Sequence, residues 1–251
     1  LSQAQELGFA EPDPTNDIKG FDARYKLVIL TYLITGQWLT PEQITLEGID
    51  HLELADFEYA RRMGREIKLI ANLRLFEQGT QVYVLPLMIK KDEMLAKISG
   101  STNAVTLSGK YSEDITLIGK GAGSLPTASA IVSDLNKVLR HPEPFPPPPI
   151  TAELVLESME NIRFRHTLRF EVRDHPGIFG HIGSIFERHS INIYALEQLP
   201  QYHRIGKEGE EIVIFTLTIQ DCVEGLVIKA LKEINQAEYM LKPVVLLREI
   251  V

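Results

Sequence analysis

The sequence predicts an α+β protein in two parts, a mainly antiparallel sheet covered by helices and then a smaller βαββαβ unit. A proline-rich run at 141–149 divides the 251-residue chain, because proline fixes φ and lacks a backbone N–H, which excludes both helix and central strand. Before this run, apolar strands at 68–76 and 81–89 flank a glycine-containing turn, which is a hairpin signal. After it, short strand and helix patterns alternate. The expected boundaries are 1–140, a linker at 141–164, and 165–251.

Apolar spacing and helix stop signals define the elements of the first part. Gly8 and Gly36 end helical patterns, and Pro41 and Pro126 suit first helical positions. Expected in order are the end of a helix at 1–7, a loop at 9–21, helices at 22–35, from Pro41 and at 53–63, the two hairpin strands, a short helix from Asp92, strands at 103–108 and 114–118, and a helix reaching Arg140.

The second part has shorter and more regular elements. Expected in order are a strand at 167–172, a helix at 177–189, strands at 192–199 and 211–219, a helix at 224–233 and a last strand at 238–247. This β-α-β-β-α-β order is the ferredoxin-like arrangement. Unrelated functions share such folds, so the fold alone does not name an activity.

Composition narrows the classes of function. Hydrophobic residues make up 44% and charged residues 24%, the balance of a soluble globular protein, and the formal net charge is -8. Without a basic cluster we expect no nucleic-acid partner, because phosphate binding needs a concentrated basic surface. No apolar run reaches the roughly 18 residues of a membrane span, and the acidic N-terminal stretch is unlike a signal peptide. We therefore expect a cytoplasmic protein.

Cysteine and histidine usage bears on metal binding. Cys222 is the only cysteine, so neither an intramolecular disulfide nor a thiolate metal site can form. The seven histidines lack metal-ligand spacing. We therefore expect no metal site.

The most informative stretch, residues 4–26, places several carboxylates and a lysine around a proline-stiffened loop that leads into a helix. Asp22 and Lys26 are four residues apart, so on a helix they share one face. Glu11 lies on the loop and could fold back against that face. From the residue types alone a structural explanation is favoured: an N-cap at Asp22, or a surface ion pair with Lys26 worth about 0.3–0.5 kcal/mol.

The spaced residues of this stretch resemble the signature of the homoserine dehydrogenases. The matching positions are Ala4, Gly8, Phe9, Ala10, Asp13, Pro14, Asp17, Ile18, Gly20, Asp22 and Lys26. The resemblance implies NAD(P)-dependent interconversion of L-homoserine and L-aspartate 4-semialdehyde, in threonine and methionine biosynthesis. It assigns proton transfer at the reacting hydroxyl to Lys26. It assigns substrate binding to Glu11, Asp17 and Asp22, with Glu11 and Asp22 holding the amino group.

These residue types suit that chemistry. Oxidation of homoserine removes a hydride, which a nicotinamide accepts, and a proton from the hydroxyl. A lysine can transfer the proton when its surroundings lower its pKa, and carboxylates bind the substrate's ammonium group.

A glycine-rich turn at 119–123 precedes the helix that reaches Arg140. Its spacing is not that of a Rossmann fingerprint, and a tight strand-to-helix turn explains it equally well. The resemblance implies that Gly121 and Gly123 contact the cofactor, NAD or NADP, beside a helix N-terminus that suits a phosphate. The family's Rossmann domain carries G-x-G-x-x-G, which this sequence lacks. The chain alone is therefore expected to be inactive, and the choice between NAD and NADP lies in that domain.

After the linker, Asp174, Pro176 and Gly177 at a strand-to-helix turn, with Asn192 at the next strand, resemble an ACT domain. Asp174 could cap the helix, and a well-made turn without a ligand is an equal alternative. The resemblance implies that these four residues bind an effector. The expected effector is threonine, acting through coupled conformational states.

The strand at 82–89 is apolar on both faces and needs cover on each side. The resemblance implies that this sheet packs across a dimer and that ACT domains pair, giving a homodimer or tetramer. Residues 1–140 would be the substrate-binding, catalytic and dimerisation domain, and residues 165–251 the regulatory domain. An alternative is a stand-alone amino-acid-sensing module in which the first domain has lost catalysis.

Overall fold

Strands from both sides of the proline-rich run form one eight-stranded sheet in the computed structural model, which describes residues 13–143, 146–150, 154–198, 203–206 and 209–250. The strands are β1 (Thr45–Leu46), β2 (Arg65–Phe76), β3 (Gly79–Lys90), β4 (Thr102–Gly109), β5 (Glu113–Lys120), β6 (Arg163–Arg173), β7 (Ile193–Gln198), β8 (Arg204–Ile205), β9 (Glu211–Val223) and β10 (Val245–Ile250). The helices are α1 (Thr15–Ile18), α2 (Phe21–Thr35), α3 (Leu54–Arg62), α4 (Ser124–Arg140), α5 (Ile178–Arg188) and α6 (Glu224–Ile234), with single 3-10 turns at Pro41–Gln43, Leu95–Lys97 and Met159–Asn161. None of the described helices is long and apolar enough to cross a membrane.

The hairpin β2–β3 supplies two of the eight strands and lies at one end of the sheet. Its strands pair antiparallel along their whole length, which confirms the expected hairpin. On the other side of β3, both β1 and β10 pair in parallel, β10 through Arg248 opposite Leu87. The sheet then continues through β6, β9 and β7. Residues 13–140, the first segment, and residues 154–250, the second segment, therefore share one sheet, and the proposed domain boundaries stay predictions.

The second segment follows the expected βαββαβ order, with the two-residue strand β8 added before β9. Helices α5 and α6 pack on its sheet and bury apolar side chains that include Ile182, Phe186 and Val227. Within the sheet, the rings of Phe170 and Phe215 stack with centroids 4.8 Å apart. Removal of this apolar surface from water is the main stabilising contribution to the segment.

In the first segment, α2 packs on the hairpin. Leu27 and Val28 bury their side chains in a cluster with Val82 and Val84 of β3. The helix is bounded by Gly20 and Gly36, whose φ angles are +80° and +77°. Glycine adopts this left-handed conformation without the steric cost that a Cβ brings. The α+β architecture expected from the sequence is confirmed.

Strands β4 and β5 pair with each other in a separate two-stranded sheet, and α4 follows them. No residue of α4 is buried. Large apolar side chains are exposed on all three elements: Val105, Leu107, Ile115, Leu117, Ile118, Leu125, Ile131, Val132, Leu135, Val138 and Leu139. The described residues of this chain therefore leave the apolar side chains of these three elements uncovered.

Three local predictions were wrong. The expected loop at 9–21 contains α1, and Pro126 is the third residue of α4 instead of its first. The last strand begins at Val245 instead of 238. Because β10 lies between β3 and β6, Pro243 could not donate a ladder hydrogen bond there, so regular pairing begins only after it.

Candidate active site

Gly20 fixes the junction between α1 and α2 and thereby the direction in which the signature residues point. It is buried, and a Cβ at this position would lie 2.9 Å from Leu46 Cδ1 and 3.3 Å from Leu69 Cδ2. The positive φ favours glycine here, and any Cβ would also require the Leu46 side chain to shift. Substrate candidates Asp17, in α1, and Asp22, in α2, are therefore held on two helices joined at one rigid point.

Lys26 and Asp22 form the ion pair that their spacing predicts. Lys26 Nζ donates to Asp22 Oδ2 at 2.7 Å, and the two side chains are 52% and 50% exposed. The N-cap alternative for Asp22 is wrong, because Gly20 occupies that position and Asp22 is the second residue of the helix. A half-exposed ammonium beside a carboxylate is accessible to a small zwitterionic ligand, which needs one group of each charge.

Asp17 is exposed, and its backbone oxygen accepts a hydrogen bond from Gly20 N at 3.2 Å. Helix α1 starts at an Asp-Pro-Thr turn in which Thr15 N donates to Asp13 Oδ1 at 3.1 Å. Hydrogen bonds from the Thr15 hydroxyl and amide lower the pKa of Asp13 from its ordinary value of 3.8. Glu11 lies outside the described residues. Among the described candidates of this pocket, the structure joins only Asp22 and Lys26 directly.

A loop that the sequence reasoning missed lies against α1. Ile49 N donates to Ile18 O at 2.7 Å, and the Lys19 ammonium pairs with the Asp50 carboxylate. A Cβ at Gly48 would lie 2.5 Å from Ile18 O, so the two backbones touch there. In the sequence, only Gly48 indicates a close backbone contact in this loop. A single glycine does not show that Ile18 is the residue it contacts.

Gly121 and Gly123 form the connection from β5 to α4. Gly121 N donates to Ser101 O at 2.8 Å, and a Cβ on Gly121 would overlap the Asn103 side chain. Gly123 has a φ of +119° and is the N-cap of α4. Since glycine has no side chain to cap the first-turn N–H groups, the positive end of this 17-residue helix suits a phosphate.

The four effector candidates fall into two groups at opposite ends of α5. Asp174, Pro176 and Gly177 precede the helix, whereas Asn192 follows it. A helix of 11 residues is about 16 Å long, so one chain does not bring the two groups together. Asn192 Nδ2 donates to Gln220 Oε1 at 2.9 Å. Asn192 also lines a cavity of about 390 Å³, together with Gly183, Glu187, Ser190, Ile191 and Ile193.

The expected capping of α5 by Asp174 is wrong. Gly177, with a φ of +94°, is the N-cap, and no side chain caps the helix. Asp174 instead lies near His203 and Glu211, where one ligand-type atom of each residue lies within 4.8 Å of the others. All three side chains are exposed, and His203 Nε2 lies 3.6 Å from Glu211 Oε2.

The fold is a helix-covered sheet segment joined through one sheet to a βαββαβ unit, and comparisons with known proteins name a family for each part. The homoserine dehydrogenase family model matches residues 1–135, and the ACT domain model matches residues 166–236. The chain belongs to the homoserine dehydrogenase family and carries an ACT domain.

Relatives match almost the whole chain. Homoserine dehydrogenases of Neisseria gonorrhoeae and Pseudomonas aeruginosa are 34% and 33% identical over 99% of this chain and 58% of their own length. A crystal structure of a homoserine dehydrogenase from Thiobacillus denitrificans, 33% identical, covers 99% of this chain and 57% of its own, with a TM-score of 0.83. The chain thus spans a little over half the length of the curated relatives it matches.

Proposed function

We propose that the protein containing this chain interconverts L-homoserine and L-aspartate 4-semialdehyde with NAD or NADP, as a cytoplasmic enzyme of threonine and methionine biosynthesis. The observation that carries the proposal is the exposed Asp22–Lys26 pair, 2.7 Å between Nζ and Oδ2, within the family's signature. Of the two explanations open for this pair, the functional one is supported by the family match at the same residues.

In this proposal Lys26 Nζ exchanges the proton of the substrate hydroxyl, and the bound nicotinamide supplies the hydride chemistry. Asp22 has two carboxylate oxygens, so it can hold Lys26 through Oδ2 and accept from the substrate ammonium as well. Asp17 and Glu11 add negative charge on the ammonium side. The rigid junction at Gly20 keeps these groups oriented before the substrate arrives, which lowers the entropic part of the barrier.

Gly121 and Gly123 would meet the nucleotide at the N-terminus of α4, where the glycine N-cap leaves backbone N–H groups for a phosphate. The sequence holds no G-x-G-x-x-G fingerprint, so the remaining nucleotide contacts must come from outside these 251 residues. We infer that the chain by itself does not turn over.

The ACT domain would bind an amino acid, threonine in our proposal, between two copies of the chain. Asp174 and Asn192 lie at opposite ends of α5, so a site that uses both needs one end from each of two domains. A dimer or tetramer supplies such a pair. Binding of the amino acid would change the affinity for homoserine, because both sites would be coupled to the same two states of the oligomer.

The test is homoserine-dependent reduction of NAD or NADP by the full-length protein, with the 251-residue chain assayed beside it. Turnover by the long form alone is the expected result. Absence of turnover in both would reject the enzyme, and the stand-alone sensing module would then be tested by threonine binding to the chain.

For the effector site, we predict that Asp174→Ala or Asn192→Ala relieves inhibition by threonine and leaves uninhibited turnover within about twofold, because neither residue contacts the substrate pocket. Inhibition curves measured on the full-length protein decide this. His203→Ala, which removes a neighbour that Asp174 shares with Glu211 and leaves both effector candidates in place, is the matched control. Unchanged inhibition in both variants would place the effector elsewhere.

A further inference from the structure

A line of charged side chains runs from the second segment to the loop that lies against α1. His166 Nε2 and Glu224 Oε2 are 2.8 Å apart, and Arg248 Nη2 donates to Glu224 Oε1 at 2.7 Å. On its other side, Arg248 Nη1 lies 2.9 Å from Glu47 Oε2. Glu47 belongs to the first segment, directly after β1, so this last ion pair crosses between the two segments.

Burial makes this line rigid. The side chains of Arg248 and Glu224 are 5% and 3% exposed, whereas that of Glu47 is 30% exposed. Burial alone would lower the pKa of Arg248, but the charges of Glu224 and Glu47 outweigh burial and raise the pKa above its ordinary value, so the guanidinium stays charged. Arg248 hydrogen-bonds to Glu224, whereas Nη1 holds Glu47 Oε2 by charge, at 2.9 Å and without the geometry of an aligned hydrogen bond.

Glu47 and the residues after it also contact the stretch that carries the family signature. Its own N–H donates to Val84 O at 2.9 Å, and the next residues, Gly48 and Ile49, touch the backbone of Ile18. Ile18 ends α1, the helix that carries Asp17, and it is two residues before the Gly20 junction. A shift of Glu47 therefore displaces the support of the substrate pocket directly.

We propose that Glu47 is a positioning residue that ties the substrate-binding signature to Arg248 of the second segment and thereby sets the affinity for the substrate. The inference rests on the proposed function and adds a residue outside the signature to its binding site. Glu224 alone can compensate the charge of Arg248, so the Glu47–Arg248 pair is not required to keep a buried charge neutral. The Glu47–Arg248 pair instead restrains the position of the loop at 47–50.

The test is Glu47→Gln in the full-length protein, with Glu249→Gln as matched control. Glu249 pairs with Arg65 at 2.7 Å and also joins β10 to the first segment, but its partner lies at the start of β2 and not on the 47–50 loop. In Glu47→Gln we expect the KM for homoserine to rise about tenfold with kcat within about twofold, and the control to keep both values. Equal KM shifts in the two variants, or none in Glu47→Gln, would overturn the proposal.

Amide hydrogen exchange at Ile49, whose N–H donates to Ile18 O, gives a second readout that needs no catalysis. Glu47→Gln should exchange this amide about tenfold faster than wild type or Glu249→Gln. If the wild-type protein fails to oxidise homoserine, the proposed function fails and this exchange result still decides the positioning role. If Glu47→Gln does not fold, Gly48→Ala replaces it, because its Cβ forces the same loop from Ile18 without altering charge.

Discussion

The ion pair at the start of α2 and the ion pair between α3 and β6 have the same charges and opposite surroundings. Asp22 and Lys26 are half exposed and four residues apart on one helix. Asp56 and Arg169 are 1% and 3% exposed and 113 residues apart in the chain, with Nε–Oδ1 and Nη2–Oδ2 distances of 2.6 and 3.1 Å. The exposed pair keeps its charges available to a ligand, whereas the buried pair has no such access and fixes two segments against each other.

The surroundings of the buried pair reinforce this difference. Glu53 lies 3.6 Å from Arg169, and Lys242 bridges Glu53 and Glu171 at 2.8 and 2.9 Å. These contacts extend the pair into a network that joins α3 to β6 and to the turn before β10. Burial, more than residue type, therefore decides whether a carboxylate–cation pair is available to a ligand or stabilises the fold.

The largest effect that would test this comparison is on catalysis. We predict that Lys26→Ala in the full-length protein lowers kcat by about 10²- to 10⁴-fold, the usual range for a general acid–base group. Its free energy of unfolding should change by less than about 0.5 kcal/mol, because an exposed pair contributes little. Steady-state kinetics and urea unfolding measure the two.

Lys137→Ala, which removes an exposed i,i+3 pair with Asp134 in α4, is the control and should leave both quantities unchanged. A kcat loss no larger than the rise in KM would show that Lys26 only binds the substrate.

The next effect is on stability. Arg169→Met leaves the Asp56 carboxylate buried without its cation, which should cost about 3–5 kcal/mol of unfolding free energy. Urea unfolding of the 251-residue chain measures it. Adding Asp56→Leu in the same molecule removes the unpaired charge and should recover most of the loss. If Arg169→Met loses less than about 1 kcal/mol of unfolding free energy, water reaches the Asp56–Arg169 pair. The two ion pairs would then no longer differ in their surroundings.

The smallest expected effect is on how the free energy of unfolding falls at low pH, and it concerns the buried carboxylate of Glu224. Burial alone would raise its pKa, but the hydrogen bond from His166 and the charge of Arg248 outweigh burial and lower the pKa from 4.5. A carboxyl with a lowered folded-state pKa stabilises the fold above its unfolded value, and this contribution is lost as pH falls through the folded value.

We therefore predict that the unfolding free energy of wild type falls as pH decreases below about 4.5, and that Glu224→Gln shows a shallower decline over the same range. Urea unfolding at a series of pH values measures the slope. Parallel slopes in the two proteins would contradict the lowered pKa.

The elements that the sequence predicted well depend on local signals. Helix α2 is capped by Gly36, and the β2–β3 hairpin forms where the spacing indicated, with Gly79 opening β3 opposite Phe76. The start of β10 was wrong because its pairing depends on β3 and β6, which lie far from it in the chain. The N-cap of α2 was wrong because the packing of Gly20 against Leu46 and Leu69 is not visible in a local pattern.

The candidate site also contains one contact that local spacing predicts and one that it does not. The Asp22–Lys26 contact follows from a four-residue spacing on one helix, and periodicity predicts it. The Glu47–Arg248 contact joins residues from opposite ends of the chain, and no spacing rule reaches that far. The effector candidates were grouped by resemblance to ACT domains, whereas the separation of Asp174 from Asn192 follows from the length of α5.

The pairing of β3 with β10 has a consequence for fragments of this protein. Because both segments share one sheet and the Asp56–Arg169 pair, a protease cut in the proline-rich run would not release two independent pieces. The nicked molecule should stay associated and unfold as one cooperative unit. By the same reasoning, the two halves produced as separate polypeptides should each be poorly folded alone and reassemble when mixed, as a split protein does.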